Sequence, residues 1–186
     1  AAVGQVPEYV KMVTEFVNER SCVPVLVKLT PNIADIRHPA RAAKKGGADG
    51  ISLINTINSL MGVDVETLRP KFAVGGKIAH GGYCGPAVKP IALNMLSQIA
   101  VDRETSGLPL SGIGGISTWS DAVEFLLLGA SSVQLCTAVM HHGFRIIEDL
   151  NAGLEGWMRR RGFSRLTDFI GRAAASVVEW KDLDLN

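Results

Sequence analysis

Metal-ligand spacing is missing from this sequence. Its three cysteines, Cys22, Cys84 and Cys136, lie far apart and form no CxxC pair. No zinc or iron–sulfur ligand set is therefore visible. An odd count with no framework suits a reducing cytosol. No apolar run is long enough to cross a membrane, and the N-terminus lacks the basic-then-apolar order of a secretory signal. The expected location is cytoplasmic, with no membrane partner. An excess of one charge is missing too: the formal net charge is +1, which indicates no basic face for nucleic acid. The one dense positive cluster, Arg159-Arg160-Arg161, precedes Gly162 and is explained by a helix C-terminus. No low-complexity stretch or linker divides the chain, so a single domain over residues 1–186 is expected. The chain opens at Ala1 rather than at methionine, which fits a trimmed or processed protein or a fragment.

What is present is an alternation. Apolar residues at Val10, Val13, Phe16 and Val17 predict a helix from Pro7 to about Arg20. Residues 23–29 are apolar and β-branched and read as a strand buried on both faces. A helix over 38–45, ended by Gly46-Gly47, and a strand over 49–54 follow. Residues 58–85 are glycine-rich and weakly periodic and read as a loop or excursion over a site. Then come a helix over 90–100, a strand over 108–113, a helix through 125–128 and a strand over 131–135. Ser117 or Thr118 with Asp121 has capping-box spacing. A long helix over 144–158 would place Phe144, Ile147, Leu150, Leu154 and Trp157 on one side, and a short helix is expected near 166–172.

Such an order implies a parallel sheet with crossover helices. The expected class is α/β: about four βα units, the C-terminal portion of a TIM (β/α)8 barrel, which needs about eight. A doubly wound sheet is the alternative, weakened by the lack of a glycine-rich dinucleotide fingerprint after the first strand. Half a barrel leaves two open sheet edges and predicts pairing with another copy or aggregation.

In parallel α/β folds the site lies at the C-terminal strand ends. Lys28 there is either a cation facing bound negative charge, such as a reduced flavin ring, or a stem that snorkels to solvent. Asn55 and Thr56 can read a ring of alternating C=O and N–H, or merely start a loop. Gly112, Gly114 and Gly115 let backbone approach a ligand. A helix starting near Ser117 brings free N–H groups that attract phosphate, and Cys136-Thr137-Ala138 adds donors. These consecutive turns match the phosphate site after the last two strands of such barrels; ordinary tight turns are the plainer reading. Residues 81–85 form a third glycine-rich stretch, a plain turn or a loop against a cofactor. Cys84 has no activating His or Asp near it in sequence and reads as a small packed residue. His80, His141 and His142 read as solvated loop residues.

Taken together, Val27-Lys28-Leu29-Thr30-Pro31-Asn32, Gly46-Gly47-Ala48-Asp49-Gly50 and Asn55-Thr56 resemble the catalytic subunit of dihydropyrimidine dehydrogenases, the bacterial NAD-dependent form most. So do Gly81-Gly82-Tyr83-Cys84-Gly85, Lys89-Pro90-Ile91-Ala92-Leu93, Gly114-Gly115-Ile116 and Gln134-Leu135-Cys136-Thr137-Ala138. Dihydroorotate dehydrogenases share the barrel but are more distant at Lys-Leu-Thr-Pro-Asn. The resemblance implies an oxidoreductase that holds FMN and reduces the C5–C6 double bond of uracil or thymine. Electrons would come from NAD(P)H through FAD and iron–sulfur clusters on other domains or subunits. By this resemblance Lys28 contacts the isoalloxazine, and Asn55 and Thr56 bind the pyrimidine. Gly82, Gly85, Gly114, Gly115, Cys136 and Thr137 would line the FMN. The family's acid, a cysteine, falls upstream of Ala1, so no catalytic residue is assigned and the chain alone is expected to be inactive. Cys84 stands where the family usually has serine. A dihydroorotate dehydrogenase-like enzyme and a non-catalytic phosphate-ligand or partner-binding half-barrel are the alternatives.

Overall fold

The computed structural model describes residues 3–184; Ala1 and Asn186, the bounds of the expected domain, lie outside them. Pro7 opens α1 (Pro7–Asn18), at a position where a missing N–H costs nothing. Only Val10 and Thr14 of this helix are buried, whereas Val13, Phe16 and Val17 are exposed. The predicted apolar face is thus real as a pattern but covered along one line only.

β1 (Leu26–Leu29) is shorter than expected, and only its Leu29 is buried. It is the edge of a four-stranded sheet, so burial on both faces fails there. After α2 (Arg37–Lys45) comes β2 (Gly50–Leu53), in which all four residues are buried because strands flank it on both sides. The expected loop is a pair of antiparallel ribbons. β3 (Ile57–Ser59) pairs with the later β6 (Gly81–Tyr83), and between them β4 (Val63–Asp64) pairs with β5 (Arg69–Pro70). Strands of two or three residues are too short to display alternation.

α3 (Lys89–Ala100) leads to β7 (Leu110–Ile113), α4 (Trp119–Leu127) and β8 (Ser132–Gln134). A short α5 (Thr137–His142) then intervenes before α6 (Ile146–Arg161). The sequence reading missed α5. It ends at Gly143, so Phe144 sits in a turn and is exposed, and Ile146 and Leu150 carry the burial of α6. Ile147, expected on the packed side, is exposed. The three arginines close α6 ahead of Gly162, which is left-handed at φ 73°. The expected last helix is a single 3-10 turn, Leu166–Asp168, followed by turns.

The sheet order is β1-β2-β7-β8, all parallel, each strand beside its predecessor. A doubly wound sheet needs a reversal of that order. None occurs, and the architecture is a section of a (β/α) barrel. One sheet face packs on helices: a Cβ on Gly112 would overlap Phe125 of α4 and lie 3.2 Å from Leu96 of α3. Gly112 is therefore a packing glycine, not the ligand-approach position expected. The opposite face carries a polar row in register, Lys28–Ser52–Ser111–Ser132. Gln134 Nε2 lies 2.8 Å from both Ser52 Oγ and Ser111 Oγ and ties the row together. Among the described residues no helix is long and apolar enough to cross a membrane.

Candidate functional site

The C-terminal strand ends converge on one open cleft of about 260 Å³. Its lining comes from Lys28 on β1, from Ile54 to Thr56 after β2, from Tyr83 to Gly85 after β6, from Gly114 to Ser117 after β7, and from Cys136 to Ala138 after β8. The two turns expected to grip a phosphate therefore face the same space, and side chains do not fill it. Of the residues singled out from sequence, Lys28, Asn55, Thr56, Gly85, Gly114, Gly115, Cys136 and Thr137 all line the cleft. Gly82 stands behind it: a Cβ there would overlap Thr56 Oγ1, so Gly82 shapes the wall through Thr56.

The turn after β7 requires glycine. Gly115 is left-handed at φ 74°, and an added Cβ would lie 2.8 Å from the Gly85 carbonyl and 2.9 Å from Lys89 Cβ. The turn is thereby pressed against the Gly85–Lys89 segment. Gly85 in turn would bring a Cβ to 3.8 Å from Thr137 Cγ2. Among the described residues the N–H groups of Gly114, Gly115 and Thr137 meet no protein acceptor.

The start of α4 carries the capping box that its spacing predicts. Thr118 caps it, and Asp121 completes the box. Asp121 Oδ2 accepts from the N–H of Ser117 at 3.0 Å and of Thr118 at 2.8 Å. These two donors are spent, whereas Gly114 and Gly115 just before them keep N–H groups without a protein acceptor. The other oxygen, Oδ1, lies 2.6 Å from Lys89 Nζ, which also lies 2.9 Å from Glu124 Oε2. Burial alone would raise the Asp121 carboxyl, but hydrogen bonds from Lys89, Ser117 and Thr118 outweigh it and hold the pKa down to about 2. The same contact with Asp121 raises Lys89.

At the other end of the cleft, Asn32 joins two strand ends. Its Nδ2 donates to the Thr56 carbonyl at 3.0 Å, and its Oδ1 accepts from the Asn58 N–H at 2.8 Å. The sequence reading assigned no role to Asn32 or Gln134, although Gln134 also lines the cleft. Two further expectations are corrected. Cys84 is exposed in the cleft rather than packed. His141 and His142 belong to α5 rather than to a loop, and both line the cleft.

Residues 1–158 match the dihydroorotate dehydrogenase family. The chain belongs to that family. Among its relatives, the NAD-dependent dihydropyrimidine dehydrogenase subunit PreA of Escherichia coli (strain K12) is 46% identical over 182 residues, covering 98% of this chain and 44% of the relative. The chloroplastic dihydropyrimidine dehydrogenase (NADP(+)) of Arabidopsis thaliana is 44% identical over 186 residues, with the same coverage of 98% and 44%. The dihydroorotate dehydrogenase B (NAD(+)) catalytic subunit of Pyrococcus abyssi is 43% identical over 171 residues, covering 92% of this chain and 54% of the relative. The chain thus spans about half the length of the curated relatives it matches. In this family member, strand-end turns from distant parts of the sequence are gathered around one cleft.

Proposed function

We propose that residues 1–186 are a single domain, the FMN-binding C-terminal portion of a dihydropyrimidine dehydrogenase barrel. The whole enzyme would reduce uracil or thymine to the 5,6-dihydropyrimidine in pyrimidine catabolism. NAD(P)H would be the ultimate donor, reaching the site through an FAD- and iron–sulfur-bearing electron-transfer subunit or domain. The observation that carries this reading is the meeting of the Gly114-Gly115 and Cys136-Thr137 turns across one cleft, with N–H groups that have no protein acceptor.

The residues present fit FMN. Backbone donors at Gly114, Gly115 and Thr137 suit a phosphoryl dianion. Lys28, exposed toward the same cleft, offers a cation for the flavin ring. Asn55 and Thr56 present an amide and a hydroxyl to a pyrimidine. Bound there, FMN would supply hydride chemistry. Lys28 would set its ammonium against the flavin ring, and Asn55 would orient the substrate's C=O and N–H edge. Proton delivery is assigned to no residue of this chain, and turnover by residues 1–186 alone is not expected.

Flavin titration tests the reading. Saturable FMN binding, weakened by Gly115→Val, supports it; a folded protein with no flavin affinity overturns it. A second reading, dihydroorotate oxidation, is favoured by the likeness to the Pyrococcus abyssi subunit. Assays of the full-length protein with uracil, thymine and dihydroorotate separate the two.

A further inference from the structure

A lysine beside two glycine turns has the form of a phosphate ligand. Lys89 does not occupy that place. It is absent from the cleft lining, and its ammonium is taken up by Asp121 at 2.6 Å and Glu124 at 2.9 Å. Its backbone lies under the cleft: a Cβ on Gly115 would come within 2.9 Å of Lys89 Cβ and 3.1 Å of Lys89 N. Asp121 divides its two oxygens between two segments. One takes the ammonium at the start of α3, and the other takes the Ser117 and Thr118 N–H groups after β7.

Resting on the reading of this cleft as a flavin-phosphate site, we propose that Lys89 and Asp121 are a positioning pair. They set the Gly114-Gly115 turn against the Gly85 turn and so aim the glycine N–H groups at the phosphoryl oxygens. One carboxylate bridges residues 32 positions away from it in sequence on one side and three to four on the other. The turn after β7 cannot move relative to α3 without breaking that bridge. Lys89 gives the ligand no direct charge, because two carboxylates already surround it.

The sign of one substitution separates this from a ligand role. Asp121→Asn removes the nearer of the two carboxylates that hold the ammonium and leaves Glu124. If Lys89 bound phosphate directly, FMN would bind more tightly; a positioning pair requires weaker binding. In the full-length protein the expected rise in Kd, read by flavin fluorescence, is about tenfold or more for Asp121→Asn and for Lys89→Met. The double variant is expected to be no worse than the poorer single one, since both break one bridge. Lys89→Arg keeps the pair and should restore most of the affinity. Should Asp121→Asn fail to fold through loss of its cap, Lys89→Met leaves Thr118 and Asp121 capping α4, and its alkylation rate without flavin carries the test.

A flavin-free readout uses the exposed cysteines. Iodoacetamide alkylation of Cys84 and Cys136, flanking the paired turns, should accelerate several-fold in both single variants, with Cys22 unchanged. Tighter or unaltered FMN binding in Asp121→Asn, with unaltered alkylation, overturns the proposal. If the parent protein binds no FMN while the alkylation change appears, the flavin reading fails and the positioning pair stands.

Discussion

Asn32 holds the Thr56 carbonyl through its Nδ2 at 3.0 Å and takes the Asn58 N–H on its Oδ1 at 2.8 Å. A single amide from the end of β1 thus braces the wall that follows β2. Its backbone is held as well, since Gln5 Nε2 donates to the Asn32 carbonyl at 2.7 Å. The brace lies at the end of the cleft assigned to the pyrimidine, away from the glycine turns. Asn32→Ala should therefore raise KM for the pyrimidine by about tenfold in the full-length enzyme. FMN affinity should hold, and steady-state kinetics beside a flavin titration checks the split.

Gly115 should tolerate no side chain. Gly115→Ala adds both a left-handed alanine and an overlap with the Gly85 carbonyl, an expected cost of about 2–4 kcal/mol. Gly162 is a control, because it is left-handed at φ 73° and ψ 23° with nothing within 4 Å of an added Cβ. Gly162→Ala should cost only about 1 kcal/mol. Urea unfolding of the two variants measures the difference.

Acid should destabilise the protein in a narrow window. Asp121 is held to about 2, against an ordinary 3.8. Asp35 is held to about 2 chiefly by its hydrogen bond from Arg37. A carboxyl depressed in the folded state stabilises only while ionised. Its contribution is full above about pH 4 and is lost as pH falls toward about 2. For buried Asp121 the shift corresponds to about 2 kcal/mol. Thermal unfolding should show no step from these groups above about pH 5 and a fall below about pH 4, less steep in Asp121→Asn.

Residues 1–186 on their own should self-associate. β1 and β8 are both sheet edges, Leu26 on β1 is half-exposed, and Tyr9, Met12 and Phe16 of α1 are exposed together. Open edges beside apolar surface favour edge pairing. Size-exclusion chromatography with light scattering should find a dimer or larger species that grows with concentration. Leu26→Lys should shift it toward monomer, and a monodisperse monomer of the unaltered chain would refute the expectation.

Local chemistry made much of this legible in the sequence. Pro7, the Thr118–Asp121 spacing and the glycines after α2 and α6 act within one turn of chain, so these helix starts and stops were marked locally, with limits that shifted by one to three residues. The strand-then-helix order needed only periodicity, and it carried the barrel reading. Short elements escaped because two to six residues hold too little pattern, as in the ribbons and α5.

Neighbours distant along the chain decided the rest. Whether a β-branched strand is buried on both sides depends on having two partners, which β2 has and β1 lacks. Lys89 meets Asp121 across 32 positions, and Gln134 meets Ser52 across 82. No spacing rule reaches that far, because such pairs exist only once parallel strands have stacked in register and carried their C-terminal turns to one side. The sequence determined which turns carry the glycines and backbone donors that the proposal gives to a phosphate. Tertiary structure decided that they face one another, which of their N–H groups stay free, and that Lys89 supports the site from behind.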